Sequence, residues 1–576
     1  MIQSTPLSEN TNSAVFHWLV LRVCLTFLLV APAGVHAQVQ VGDAIDGAAA
    51  YDESGWSVSL SADGQRLAIG APKNDSAALD AGQVRVYEWS DDAWVQLGDN
   101  INGEAAYDES GYSVAISSDG LRVAIGAPFN DGNDFDSGHV RVFESIDDSW
   151  TQLGDDIEGE AVYDESGFSV ALSRYGNRVA IGAPGNDGNG MESGHVRVYE
   201  LSDGDWVQLG DDIDGEAVYD GSGVSVSLAS DGYLLAIGAD NNDDGGMEAG
   251  HARVYRFADG QWTQLGDDID GENFADHFGL SVSLSRNGSR LAVGAPFNIN
   301  DSGIDAGHVR VYQQMGNIWT QLGDAIDGEA AYDESGGSVS LSADGDRLAI
   351  GAKRNDDSGL NAGHTRVYGW SGTAWMQLGD DINGESFEDA SGNSVSLASS
   401  ASHVAIGAHL NDDNGLDSGH TRVFDLSAVK SFEINPGLND AWFYPATDGQ
   451  GFFINVFPDI GIVSLAWFTY DTELPPEDAQ ANLGDAGHRW MTATGPITGD
   501  HVLMNIEMTS GGIFDTPTDI ERTDPPGSDG TILLTFHGCN SATIEYDIPS
   551  INRKGTVPIR RVADDNIVMC EMLNGD

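Results

Sequence analysis

The chain has 576 residues, too many for one hydrophobic core and enough for two or three domains. Its 91 acidic against 26 basic side chains give a formal charge of −65, which excludes nucleic acid and anionic membranes as partners on electrostatic grounds. With 40% hydrophobic and 9% aromatic residues it is still no disordered acidic tail, and its 73 glycines signal many tight turns.

The N-terminus carries an apolar run, Val23 to Val30, after Arg22, and small residues follow up to Val35-His36-Ala37. This is the pattern of a secretory signal peptide over residues 1–37, cleaved after Ala37. A retained anchor is the alternative, but the run is short for a membrane span. No later stretch is apolar enough to cross a bilayer. Cys24 falls in the leader, which leaves Cys539 and Cys570. Two cysteines in an exported chain predict one disulfide.

From residue 38 to 427 one unit repeats. The glycine of V/L-G-D recurs at Gly42, Gly98, Gly154, Gly210, Gly266, Gly323 and Gly379, at a step of 56 residues, once 57. In the copy from 153 to 208, FSVALS, RVAIGA, HVRVYEL and DWVQLG read as strands, joined by the turns RYGN, NDGNGMESG and SDGD. No segment has helical period. Seven copies of four antiparallel strands predict an all-β, seven-bladed propeller, with a parallel β-helix as the rival.

The start of the mature chain explains itself in these terms. AQVQVGDAIDG (37–47) aligns with AWVQLGDNING (93–103), so it is a fourth strand without its first three. The seventh copy stops after HTRVFDLS (420–427), three strands without a fourth. The N-terminal strand is therefore predicted to complete the last blade, closing the ring and removing an open edge.

The fifth copy, HFGLSVSLSRNGSRLAVGAPFN (277–298), carries Phe278-Gly279 and Gly294-Ala295-Pro296. It resembles the FG-GAP repeat of integrin α-subunit propellers and of many secreted bacterial proteins, and the resemblance implies the propeller fold. Integrin-type units often bind calcium between their first and second strands. Here that connection is only SADGQ, SSDGL or SRYGN, too short for such a site, so that calcium site does not carry over.

Strand parity sends the second–third loops and the blade-to-blade connections to one face. In the third copy that face receives Asp155, Asp156, Glu158, Glu160, Asp164, Glu165, Asp187 and Glu192, whereas the other receives only Asp203 and Asp205 beside Arg174 and Arg178. The acidic face has three readings. It is a solvated surface, a docking site for a basic partner, or a set of calcium loops. The calcium reading rests on the motif N-D-x-x-G-x-D/E-x-G and names Asn130, Asp131 and Asp136, then Asn186, Asp187 and Glu192, then Asn411, Asp412 and Asp417.

Other recurring residues read as structural. His139, His195, His251, His308, His364 and His420 each follow a glycine at the start of the third strand. A hydrogen-bonded histidine tying a blade turn is expected, with metal ligation as the alternative. Arg85, Arg141, Arg197, Arg253, Arg310, Arg366 and Arg422 occur in all seven copies, as an ion pair with a neighbouring acidic loop would require. Trp94, Trp150, Trp206, Trp262, Trp319 and Trp375 are expected to cover the outer blade edge. Departures from the repeat are few, namely His277, Lys353-Arg354 and His409, and none forms a nucleophile–base set. No catalytic residue is expected.

After a connection over 428–440, the segment 441–576 reads as a small antiparallel barrel or sandwich. Its strands are DGQGFFINVF, GIVSLAWFTYD, RWMTATGPI, DHVLMNIEM, GTILLTFHG, SATIEYDI, GTVPIRRV and NIVMCEML, and the disulfide is expected to join two of the later ones. The run AWFYPATDGQGFFINV resembles a C-terminal module of exported Gram-negative proteins, which implies export and no particular activity. Trp442, Phe443, Tyr444, Trp467, Phe468 and Trp490 are expected in its core rather than stacked on sugars. The basic cluster Arg553, Lys554, Arg560 and Arg561 offers a docking patch for the acidic face or for an anionic polymer.

The sequence thus reads as an exported, monomeric, non-enzymatic binding or adhesion protein of the cell surface. Its acidic, calcium-loaded face would meet an extracellular protein or glycan. The runner-up is a secreted polysaccharide-acting hydrolase with its site in the propeller channel. A self-assembling surface-layer component is a third reading.

Overall fold

A computed structural model describes residues 38–426 except 301. Further on it describes 434–444, 451–470, 488–498, 501–507, 509–510, 521–522, 530–536, 539–549, 553–562, 566–567 and 569–570. The expected signal peptide lies outside the described residues. None of the described helices is long and apolar enough to cross a membrane.

Residues 38–426 form seven antiparallel sheets, the blades of a propeller. In the second blade the inner strand is Ser113–Ile116, followed by Arg122–Ala127 and His139–Ile146. The fourth strand is split into Ser149–Gln152 and Ile157–Glu158, and both pieces pair with the third strand. The split falls at the L-G-D turn, where Gly154 has φ +77°. Leu153 N–H still bonds to Val142 carbonyl across it, at 2.8 Å. The second strand, R-V-A-I-G-A, is apolar after its first residue because it is covered on both faces by neighbouring blades. Val123, Ala124, Ile125 and Ala127 are at most 1% exposed. Each blade boundary is one apolar layer, such as Val84, Val86 and Ile101 against Ile116, Val123, Ile125 and Phe143.

Adjacent blades meet closely at their inner strands. Ser113 Oγ donates to Gly167 carbonyl of the next blade at 2.8 Å, and the bond repeats from Ser57, Ser169, Ser225, Ser281 and Ser338. A Cβ on Gly126 would lie 2.0 Å from that same Gly167 oxygen, so only glycine permits the approach. At the opposite end of the inner strands the backbone makes a full circle. Ala62 bonds Ser118, Ser118 bonds Arg174, Arg174 bonds Ser230, Ser230 bonds Arg286, Arg286 bonds Ala343, Ala343 bonds Ser399, and Ser400 returns to Ala62, all at 2.8–3.1 Å.

The ring closes as the sequence predicts. Val39–Gln40 pairs with the last third strand, His420–Asp425, through Val39↔Asp425 and Gln40↔Phe424. Ile45–Asp46 continues the pairing through Ile45↔Thr421 and Asp46↔His420. The tryptophans do more than cover an edge. Each indole N–H donates to a carbonyl of the preceding blade, for example Trp150 to Leu97 at 2.8 Å and Trp206 to Leu153 at 2.7 Å. At the closing strand Gln38 takes the tryptophan's place, and its Nε2 donates to Leu378 carbonyl at 2.9 Å.

The C-terminal part is a closed eight-stranded barrel. Its strands are Asp440–Phe443, Gly451–Phe457, Ile462–Tyr470, His488–Thr498, His501–Glu507, Thr531–Phe536, Ser541–Ile548 and Arg553–Arg561. Closure is by Trp442↔Arg561 and Phe443↔Arg560. Eight strands were expected, but not these eight. The expected strand NIVMCEML is instead a helical turn where described, with Cys570 N–H bonding Asn566 carbonyl at 3.1 Å. Its place is taken by Asp440–Phe443, and Ile434 and Leu438, from the expected connection, join the barrel core. A short apolar run carries too little periodicity to separate helix from strand. The disulfide Cys539–Cys570 is present and ties that turn, rather than a strand, to the bend after Phe536.

Trp442 and Trp467 are core residues, as expected, while Phe468 is 41% exposed; the Trp490 side chain lies outside what is described. The basic patch needs correction. Arg561 is 3% exposed, pairs with Asp440 at 2.9 Å and lies over the Trp442 ring at 5.1 Å. It belongs to the barrel interior, so only Arg553, Lys554 and Arg560 face solvent.

Removing residues 38–46 is expected to lower propeller stability by about 4 kcal/mol or more, from lost burial of Ile45 and lost ladder bonds. Denaturant unfolding together with size-exclusion chromatography checks this. A truncated chain that stays monomeric with an unshifted midpoint would deny the closing strand its role.

Candidate functional site

The acidic face is built on a buried Asp–Asn pair that sequence reasoning missed. The aspartate of Y-D-E-S sits at Asp52, Asp108, Asp164 and their equivalents, each 1–3% exposed. Asp108 Oδ2 accepts from Ala105 N–H at 2.8 Å and from Asn130 Nδ2 at 3.0 Å. Asp164 does the same with Ala161 at 2.9 Å and Asn186 at 3.1 Å. Asn130 and Asn186, two of the three asparagines singled out for calcium, therefore spend their amide on this carboxylate. Their carbonyl oxygens hold the loop, with Asn130 Oδ1 accepting from Gly132, Asn186 Oδ1 from Gly188 and Asn411 Oδ1 from Asp413.

The acidic members of the same loops also make turns. Asp131 Oδ1 accepts from Asp136 N–H, Asp187 from Glu192 and Asp412 from Asp417, at 2.8–2.9 Å. Asp136, Glu192 and Asp417 all have positive φ, between 48° and 51°. Among the described residues none of the nine belongs to a group in which three or more carboxylates and imidazoles converge.

Carboxylates converge elsewhere, on the histidines. Glu216, Asp244 and Asp268 surround His251, and Glu329, Asp357 and Asp381 surround His364. Smaller groups gather at Glu104–His139–Asp156, Glu160–His195–Asp212 and Asp46–Asp413–His420. The expectation of a hydrogen-bonded histidine fails at three positions: among the described residues neither ring nitrogen of His251, His364 or His420 has a hydrogen-bond partner. Burial, then the adjacent arginine, pushes the imidazoles of His139, His195, His251 and His420 down to about 4, and that of His308 to about 3. The arginines behave as expected. Arg141 pairs with Glu104, Arg197 with Glu160 and Arg253 with Glu216, each at 3.3 Å, and Arg366 pairs with Glu329 at 3.4 Å. Each guanidinium also donates to a backbone carbonyl of the preceding blade, such as Arg141 to Asn102 at 2.7 Å. Arg85, whose loop has Ala48 in place of glutamate, donates instead to Asp46 carbonyl and Ser54 Oγ.

The repeat breaks where the inner strands begin, at the channel mouth on the acidic face. The residue before each inner strand is Trp56, Tyr112 and Phe168 in the first three blades, and Val224, Leu280, Gly337 and Asn393 in the others. Trp56 and Tyr112 have ring centroids 5.3 Å apart, and Tyr112 and Phe168 4.9 Å, forming a half-buried aromatic arc. His409 packs edge-on against Trp56 at 4.9 Å. Beside the arc, Lys73 pairs with Glu109. Burial, opposed by Lys73, raises the Glu53 carboxyl to about 7. Around the rest of the mouth, His277 meets Asp240 at 3.2 Å and Arg354 meets Glu334 at 2.9 Å. The sequence-level departures therefore gather at one mouth. The opposite mouth is lined by Leu60, Ser118, Arg174, Ser230, Arg286, Ser342 and like residues, with neither carboxylate nor imidazole among them.

The profile of the FG-GAP repeat matches residues 44–87 and 102–143, the first two blades. No curated protein matches the sequence. Among solved structures, the periplasmic gluconolactonase PpgL of Pseudomonas aeruginosa is 14% identical, over 56% of this chain and 84% of that one, with a TM-score of 0.37. Oligogalacturonate lyase of Vibrio parahaemolyticus is 10% identical, over 68% and 94%, at 0.39. Raptor of Chaetomium thermophilum is 11% identical, over 68% and 29%, at 0.42. Each is a distant likeness from which no activity follows for this chain. Fold and profile together define a seven-bladed repeat propeller. The first two blades are FG-GAP repeats by this match, and a β-barrel domain follows the ring.

Buried neutral histidines set a pH dependence with a definite sign. Below its ordinary value of 6.5 an unfolded imidazole takes up a proton that folded His308 refuses until about pH 3. Stability is therefore lost as pH falls through that window. His308→Gln, which copies Gln83 of the first blade, is expected to flatten the stability–pH slope by roughly 1.4 kcal/mol per pH unit between about pH 6 and 4. Urea unfolding at stepped pH reads the slope, and an unchanged slope would refute a neutral buried His308.

Proposed function

We propose that this protein is an exported, non-enzymatic glycan-binding protein that grips its ligand at the channel mouth of the acidic face. The observation that carries the reading is the aromatic arc Trp56–Tyr112–Phe168, the place where seven near-identical blades become unlike. Flat rings stack on the C–H faces of sugars, and carboxylates accept from sugar hydroxyls. Burial, then the nearby Glu109 and Glu165 carboxylates, raises the Tyr112 hydroxyl, so ring and acceptors share one surface. The disulfide is consistent with an oxidising compartment, the setting expected for an adhesive surface protein.

A second reading, hydrolysis of the bound glycan, draws on Glu53 alone. A carboxyl that titrates near 7 is suited to general-acid work. The aromatic arc beside it favours binding.

Trp56→Ala with Tyr112→Ala is expected to weaken binding to acidic or neutral polysaccharide at least tenfold, read by isothermal titration after a glycan-array screen. The fold, checked by unfolding, should persist. Undiminished binding would move the site elsewhere. Release of reducing ends by the wild type, lost in Glu53→Gln, would replace the binding reading with the hydrolytic one.

A further inference from the structure

The fourth and sixth blades each bring four metal-ligating side chains together. In the fourth these are Glu216, Asp244, His251 and Asp268, and in the sixth Glu329, Asp357, His364 and Asp381. They come from four separate stretches: the loop entering the blade, the second–third loop, the start of the third strand, and the L-G-D turn of the fourth. One atom from each of the four lies within 4.8 Å of all the others. We propose that these two groups are binding sites for a divalent transition-metal cation of the zinc or manganese type.

Three observations carry this. First, His251 and His364 are 0% exposed, and both nitrogens of each ring lack a hydrogen-bond partner. A buried polar group normally has one, and leaving it unpaired costs about 1–3 kcal/mol. Each ring faces the converging carboxylates without bonding them. The nearest Glu329 oxygen, Oε2, is 4.0 Å from His364 Nδ1, while Oε1 of the same carboxylate points to Arg366. Second, the charge does not balance. Three carboxylates face one arginine in each group, leaving an excess of two negative charges that one divalent cation neutralises. Ligand atoms around such a cation, bound at about 2.1 Å, stand roughly 3–4 Å apart. A modest contraction of the observed groups reaches that. Third, the repeat supplies its own control. In the first blade all the corresponding positions change together, to Ala48, Ser76, Gln83 and Asn100, while Arg85 and the blade fold remain. There Gln83 Nε2 donates to Asn102 Oδ1 at 2.9 Å, a bond within the protein that neither His251 nor His364 makes.

The donor set chooses the ion. An imidazole nitrogen with carboxylate oxygens suits zinc or manganese, whereas calcium takes oxygen ligands only. These sites are thus distinct from the calcium loops expected from the sequence, in residues and in chemistry. Each joins the L-G-D turn of one blade to the loop arriving from the blade before, so a bound ion braces a blade boundary.

The test uses the purified protein, stripped with chelator and titrated with zinc sulfate at fixed ionic strength, with calcium chloride as the competitor. Two tight zinc sites and a rise of several degrees in the unfolding midpoint are expected, with calcium unable to displace the zinc. The variant His251→Gln/His364→Gln, built on the first blade's natural residue, is expected to lose both sites and the midpoint shift. Asp244→Asn/Asp357→Asn should weaken zinc at least tenfold, and it serves as the test if the histidine variant does not fold. Absence of tight zinc binding by the wild type, displacement of zinc by calcium, or undiminished binding by folded variants would each overturn the proposal.

Discussion

Two short strands at the N-terminus hold the propeller shut, and the rest of the ring depends on them. Each blade is stabilised by its neighbours, because its second strand is apolar on both faces and has no cover of its own. A ring of such sheets has no stable open form that hides every boundary. The pairing of Val39–Gln40 and Ile45–Asp46 with His420–Asp425 completes the seventh blade with residues from the opposite end of the chain. Gln38 then makes the bond that tryptophan makes at the other six boundaries. The bond from Val58 N–H to Ser394 Oγ and the backbone circle at Ala62 both require the first and last blades to be adjacent.

Repetition separates scaffold from site. The buried aspartate with its asparagine, the arginine across the blade boundary and the tryptophan latch recur because each blade has the same loops to hold and the same neighbour to meet. Residues that recur in this way are accounted for by the ring. What the ring does not account for is of two kinds. At the channel mouth a position that should be equivalent is aromatic in three blades and small, aliphatic or polar in the rest. At the blade boundaries acids gather on histidines in some blades and vanish together in another. Both are departures from symmetry, and a specific ligand has to be read from departures rather than from the repeat.

The barrel teaches the opposite lesson, since it has no internal repeat to guide a reading. Arg561 looks like a surface cation beside Arg560, yet strand pairing turns alternate side chains inward and places it against Asp440 and the Trp442 ring. Alternation is a property of register. Register was set by Trp442↔Arg561, a pairing between residues more than a hundred positions apart.

The sequence by itself determined the seven blades, the closing strand, the acidic face, the arginine ion pairs and the identity of the disulfide cysteines. Each follows from a period, an alternation or a pairing rule that acts over a few residues or over one repeat length. Only the tertiary structure decided that Asn130 and Asn186 are spent on buried aspartates. It alone decided that His251, His364 and His420 lack hydrogen-bond partners, that His277, Arg354 and His409 share a channel mouth with Trp56, and that Asp440–Phe443 replaces the expected last strand. The physical reason is common to all four. Whether a polar group is satisfied, and what it faces, depends on atoms brought together from separate loops and blades, and spacing along the chain carries no record of that distance.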